Sequence, residues 1–147
     1  MGTIGKRHLF VKHMQDGMAD QSVPFANHGH ADIHRLGESS GVMRAVFEPG
    51  WKWSTDMAER AGTKSCQVSH LGYVVSGRMK IVMDDGTSEE VGPGDAIEIE
   101  PGHDAWVIGD EPCVILDFRG YEKYANAAAG ASGTARRQQE PEQSFRR

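Results

Sequence analysis

Between residues 41 and 120 the chain is a ladder of short apolar segments, each cut by turn-forming residues, and no other feature constrains the fold so tightly. Val42 to Phe47 runs into Glu48-Pro49-Gly50, Tyr73 to Val75 into Ser76-Gly77, and Met79 to Met83 into Asp84-Asp85-Gly86. Ile97 to Ile99 runs into Pro101-Gly102, Trp106 to Ile108 into Gly109-Asp110, and Val114 to Phe118 into Gly120. Segments of this length are strands rather than helices, and even spacing with turns between them predicts an all-β sandwich or barrel. Asp85-Gly86 is the sharpest hairpin signal, since both central positions of a tight hairpin turn require positive φ.

The flanks read differently. Residues 1–40 are weakly patterned and are expected to form an arm partly packed on a barrel spanning 41–120. Glu122 to Ala129 predicts a helix of one or two turns ended by Gly130, inside a 121–147 segment whose remainder is rich in Gly, Ser, Gln, Glu and Arg. With Phe145 as its one large apolar residue, that tail cannot offset the entropy of ordering and is expected to be disordered.

Composition removes several partner classes. The 147 residues carry 16 Lys plus Arg against 21 Asp plus Glu, a formal charge of −5, so nothing favours nucleic-acid phosphates. No apolar run approaches the roughly 18 residues needed to span a bilayer, and no signal segment is visible, so a soluble protein is expected. Two cysteines are too few for the disulfide framework of a small secreted domain, and a reducing cytoplasm is the expected setting.

The chemistry-bearing stretch is Lys64 to Gly77, which holds Lys64, Cys66 and His70 at even positions. If it is a strand, the alternation of side chains directs Lys64, Cys66, Val68 and His70 to one face. Pro101-Gly102-His103-Asp104-Ala105-Trp106 places a second histidine at a strand entrance after a turn. A buried cysteine by itself is most simply a small hydrophobe, which is the reading for Cys113 in Pro112-Cys113-Val114-Ile115-Leu116. Cys66 differs because His70 and His103 accompany it. Lys64 is either a cation beside the site or a solvated rim residue. Asp104 either orients an imidazole or serves as a general base, or else it caps the turn. Trp51, Trp53, Tyr73 and Trp106 are candidates for a pocket wall, with core packing or a dimer contact as the alternative. His28, His30 and His34 have metal-like spacing but lie ahead of the barrel, and are expected on a solvated or edge-strand segment, with one extra ligand from His28 or His30 to the main site as the alternative.

These motifs resemble the cupin superfamily. Gly94 to His103 is similar to the second cupin motif, with Gly92-Pro93-Gly94-Asp95 as its opening turn and Pro101-Gly102-His103 as its end; Tyr73-Val74-Val75-Ser76-Gly77 is similar to the close of the first. More locally, Gly50-Trp51-Lys52-Trp53-Ser54 and Ser76-Gly77-Arg78-Met79 resemble small bacterial single-domain cupins with no assigned reaction. The resemblance implies a double-stranded β-helix, a jelly-roll barrel with a metal or small-ligand site inside, commonly as a homodimer. It also puts His70 at the usual Glu position, Cys66 at that of the second His and Lys64 at that of the first. An ammonium is no ligand, so a three-histidine, one-glutamate iron site is ruled out. Cys66, His70 and His103 remain as one thiolate and two imidazoles with an open position, a set that suits a divalent transition metal, zinc ahead of iron, nickel or copper. The expected function is a metal-binding cupin that binds or acts on a small molecule, with Asp104 or Lys64 as proton-transfer groups. A metal-free ligand-binding or regulatory module is the alternative, and a purely structural dimerisation domain the third reading.

Overall fold

Inward-facing apolar side chains alternate with outward ones along most strands, and two antiparallel sheets pack these inner faces together. The computed structural model describes residues 8–15 and 17–123. In chain order the elements are β1 (Gln21–Pro24), β2 (Gly29–Arg35), β3 (Gly41–Phe47), the helical turns α1 (Trp53–Asp56) and α2 (Ala58–Ala61), β4 (His70–Ser76), β5 (Met79–Met83), β6 (Ser88–Val91), β7 (Ala96–Ile99), β8 (His103–Val107) and β9 (Cys113–Asp117). One sheet runs β1-β2-β3-β9-β4-β7 and the other β6-β5-β8. Neighbours such as β9 beside β3 and β4 are remote in sequence, which is the connectivity of a jelly roll. The sheets are not closed into one continuous ladder, but the architecture is the all-β double-stranded β-helix expected from the sequence.

Strand β3 shows how the core is built. Gly41, Met43, Ala45 and Phe47 are buried and the residues between them are half-buried. Met43 stands opposite Asp117, Ala45 opposite Ile115 and Phe47 opposite Cys113 on β9. From the second sheet Met79, Ile81, Ala105 and Val107 join the same core. Phe25, Phe47 and Trp51 form an aromatic cluster, with Phe47 and Trp51 ring centroids 4.4 Å apart. The turn after β4 depends on glycine: Gly77 has φ 78°, and a Cβ there would lie 2.2 Å from the Pro112 carbonyl oxygen.

Several local expectations change. Residues 21–35, read as part of an arm, supply β1 and β2 of the larger sheet. In β2 the inward residues are Ala31 and Ile33, while His30, Asp32 and His34 occupy the other parity, so polar residues mask the alternation. Residues 64–69 are not a strand; the chain is irregular there and makes one isolated bridge, from Cys66 to His103. Trp51 and Trp53 do not share a strand face either, since Trp53 opens α1. A hairpin forms at Asp85-Gly86, joining β5 to β6. Of that pair Gly86 alone has positive φ, at 95°, and the loop is Asp84-Asp85-Gly86 closed by Met83 N–H to the Thr87 carbonyl, where a tight turn with two positive-φ residues was expected. The chain is helical at 121–123, and the rest of the expected helix and tail lies outside the described residues.

Candidate metal centre

Three elements bring the cluster together. Cys66 is locked beside β8 by its backbone: its N–H donates to the His103 carbonyl at 2.7 Å, and its own carbonyl accepts from Gly102 N–H at 2.7 Å and His103 N–H at 3.2 Å. Gly102, at φ 97°, makes the turn that returns the chain into β8 at His103. His70 opens β4, paired with Ile99 of β7. The ligating atoms of Cys66, His70 and His103 all lie within 4.8 Å of one another. Cys66 Sγ is 3.8 Å from His70 Nε2, and the two imidazole rings meet edge to face at 5.3 Å.

Both histidines are held from behind. His103 Nδ1 lies 2.9 Å from the Glu100 carbonyl oxygen, which can only accept, so Nδ1 carries the proton. His70 Nδ1 lies 2.5 Å from Asp117 Oδ2. The other oxygen of Asp117 accepts the N–H groups of Arg119 at 2.9 Å and Gly120 at 2.8 Å. With Nδ1 committed in each ring, Nε2 is the nitrogen left to ligate, the tautomer that orienting carbonyl and carboxylate partners give to metal-binding histidines.

Electrostatics follow from these contacts. Burial pushes the Cys66 thiol up, but hydrogen bonds from His103 and His70 and their positive charge outweigh it, bringing the thiol down to about 6. Burial pushes His70 down, but its hydrogen bonds to Asp117 and Cys66, reinforced by their negative charge, raise it to about 9. Burial also works against the Asp117 carboxylate, yet His70 and the two backbone N–H groups hold it below the usual carboxylate value. Without a metal the cluster is therefore a thiolate and an imidazolium backed by a carboxylate.

The cluster sits at the polar end of a cavity of about 50 Å³, walled by Met43, Phe47, Trp51, Trp53, Met79 and Ile97 among others. Trp51 and Trp53 are thus among the wall residues. Tyr73 and Trp106 are not: 45% of Tyr73 is exposed on the outer face of β4, and Trp106 lies on the outward parity of β8 with Lys52 Nζ 4.9 Å from its ring centroid. Strand parity decides both, since the inward positions are Gly72 and Val74 on β4 and His103 and Ala105 on β8. Lys64 is exposed and off the cavity wall because the segment around it is not a strand. Asp104 also points away, its Oδ1 accepting Ser54 N–H at 3.0 Å, so it caps the start of α1. His28 pairs with Asp56 at 2.9 Å, His30 faces Asp32 at 3.7 Å, and His34 is buried on β2 at 2% exposure. None of the three lines the cavity, and β2 is an interior strand rather than an edge.

A family model described as a cupin domain matches residues 60–119, the span that holds the whole cluster. The fold is of the cupin type. Its fold is similar to that of the polyketide cyclase RemF from Streptomyces resistomycificus, with 23% identity, 74% of this chain and 78% of that one covered, and a TM-score of 0.52. It is also similar to an RmlC-like cupin from Shewanella frigidimarina NCIMB 400, with 14% identity, 78% and 97% coverage and a TM-score of 0.51. A protein of unknown function from Acinetobacter sp. ADP1 gives 14% identity, 67% and 89% coverage and a TM-score of 0.50. At such identities the likeness speaks for the fold alone. No curated protein matches the chain.

Sequence reading missed one residue that touches the cluster, Asp117. Asp117 shares the inward parity of β9 with Cys113 and Ile115, and a carboxylate on the inward face of an apolar strand was the available signal. A buried carboxylate needs partners, and His70 with two backbone N–H groups supplies them.

Proposed function

We propose that this protein binds a divalent transition metal, zinc first, through Cys66, His70 and His103 and presents an open position to a small molecule. The observation that carries this reading is the convergence of one low-pKa thiol and two imidazoles whose Nδ1 atoms are already engaged. The donor set fits: thiolate and imidazole suit zinc and its neighbours and disfavour magnesium and calcium, and three protein ligands leave a fourth position vacant. A metal bound there would supply Lewis acidity toward a carbonyl or hydroxyl oxygen. Asp117 then fixes the orientation of His70 and stands where a proton can be held next to the cluster, a place that neither Asp104 nor Lys64 occupies.

The same reading takes the protein as a cytoplasmic homodimer. Its two cysteines are both free thiols, and Leu71, Tyr73, Val75 and Phe118 expose apolar surface on the outer side of β4 and at the end of β9, which suits a second copy. Protein purified without a histidine tag is expected to carry about one equivalent of metal per chain, read by elemental analysis, and to lose it in H103A. Metal-free protein of undiminished stability that takes up neither zinc nor cobalt would overturn the proposal in favour of a metal-free binding module.

A further inference from the structure

The cavity has a chemical character of its own. Neither Lys nor Arg is among the residues that line it; its titratable members are Cys66, His70, His103 and Asp117. With a divalent ion in place, the thiolate of Cys66 and the carboxylate of Asp117 offset both positive charges, while each imidazole is neutral with its Nδ1 proton on Asp117 or on the Glu100 carbonyl. The loaded centre then has no net charge. A buried anion would lose its hydration and find no cation to replace it. Cys66, His70, His103 and Asp117 are engaged with one another or with backbone, and the Trp51 indole N–H is the wall residues' one buried side-chain polar atom left without a partner, so a ligand rich in hydroxyls would bury unpaired groups. Everything else that faces the space is apolar, including Met43, Phe47, Trp53 and Ile97. A volume of about 50 Å³, set against the roughly 10–15 Å³ that one water needs on the same measure, encloses only a few heavy atoms.

Resting on the metal-site reading above, we infer that the ligand of this protein is uncharged, a compact apolar group bearing a single carbonyl or hydroxyl oxygen that meets the open metal position, and that carboxylates and phosphates are rejected. The selectivity comes from the charge count at the centre, with Asp117 as the specificity-determining residue: it cancels the charge that would otherwise attract an anion.

The test uses the full-length chain loaded with cobalt(II) and the probes propionamide and propionate, which match in size and differ by one charge. A thiolate-to-cobalt band in the near ultraviolet reports Cys66 ligation, and the visible cobalt bands report the open position. Propionamide is expected to shift the visible bands at an at least tenfold lower concentration than propionate. D117N adds one positive charge to the loaded centre and is expected to shrink or invert that preference. Equal responses, a preference for propionate, or no response to either probe while the thiolate band is present would overturn the inference and leave the metal site standing. Absence of the thiolate band would overturn the metal site, and the inference with it. The comparison of probes on the unsubstituted protein is decisive even if D117N does not fold. A folded D117N that keeps the full preference would show that the charge count is not its cause.

Discussion

Cys66 and Cys113 are equally hidden, at 2% and 0% exposure, yet their surroundings drive the two thiols in opposite directions. Cys113 lies on the inward face of β9 against Phe47, and burial alone pushes its thiol up to about 11. Cys66 is brought down to about 6, because His103 and His70 stand within hydrogen-bonding reach of its sulfur. Burial therefore does not by itself set the acidity of a thiol; the neighbours do. The strand that makes Cys113 inert also completes the other site, since Asp117, four residues further along the same inward face, holds His70.

The largest effect that can break this comparison is on metal content. C66A is expected to abolish stoichiometric metal, whereas C113A retains about one equivalent; loss in both variants would mean that the two thiols are not functionally distinct. Next comes D117N, which removes no ligand but loosens the orientation of His70 and should weaken metal affinity by about 10- to 100-fold in a chelator competition.

A smaller effect, accumulating with pH, follows from protonation. In the metal-free cluster His70 is raised to about 9 and Cys66 lowered to about 6, so between these values one proton must leave His70 when a metal binds. Affinity should therefore rise about tenfold per pH unit through that window, level off above about 9, and fall more steeply below about 6, where the thiol also takes up a proton. Competition titrations across pH measure the slope, and a flat profile between 6 and 9 would remove the imidazolium from the picture. The smallest effect is on stability: C113A leaves a gap beside Phe47 and should cost about 1 kcal/mol in chemical denaturation, with the metal slope unchanged.

Much of this could be read before the structure. The strands at Met79–Met83 and around Val42, Trp106 and Val114 are in place, as is the hairpin at Asp85-Gly86. Cys66, His70 and His103 do meet, although the reason differs from the expected one: an irregular segment bridged to β8 delivers Cys66, where a strand face was expected. Parity was misjudged wherever the inward face could not be known in advance. Tyr73 and Trp106 are large and aromatic, and size argued for the interior, but Gly72 and His103 occupy the inward positions of their strands. β2 escaped notice because its buried residues are small or flanked by His and Asp.

Local sequence by itself determined the places where the chain turns, the class of fold that follows, and the donor types available to a metal. Those depend on backbone sterics and on side-chain chemistry within a few residues. Only the tertiary structure decided which groups face one another. The contact between His70 and Asp117 spans 47 residues and exists because β9 pairs with both β3 and β4, in a register interrupted by an irregularity between Val74 and Ser76. A register shift by one residue would turn Asp117 to the outer face. That choice is made by the packing of the whole core, to which each strand contributes only a part.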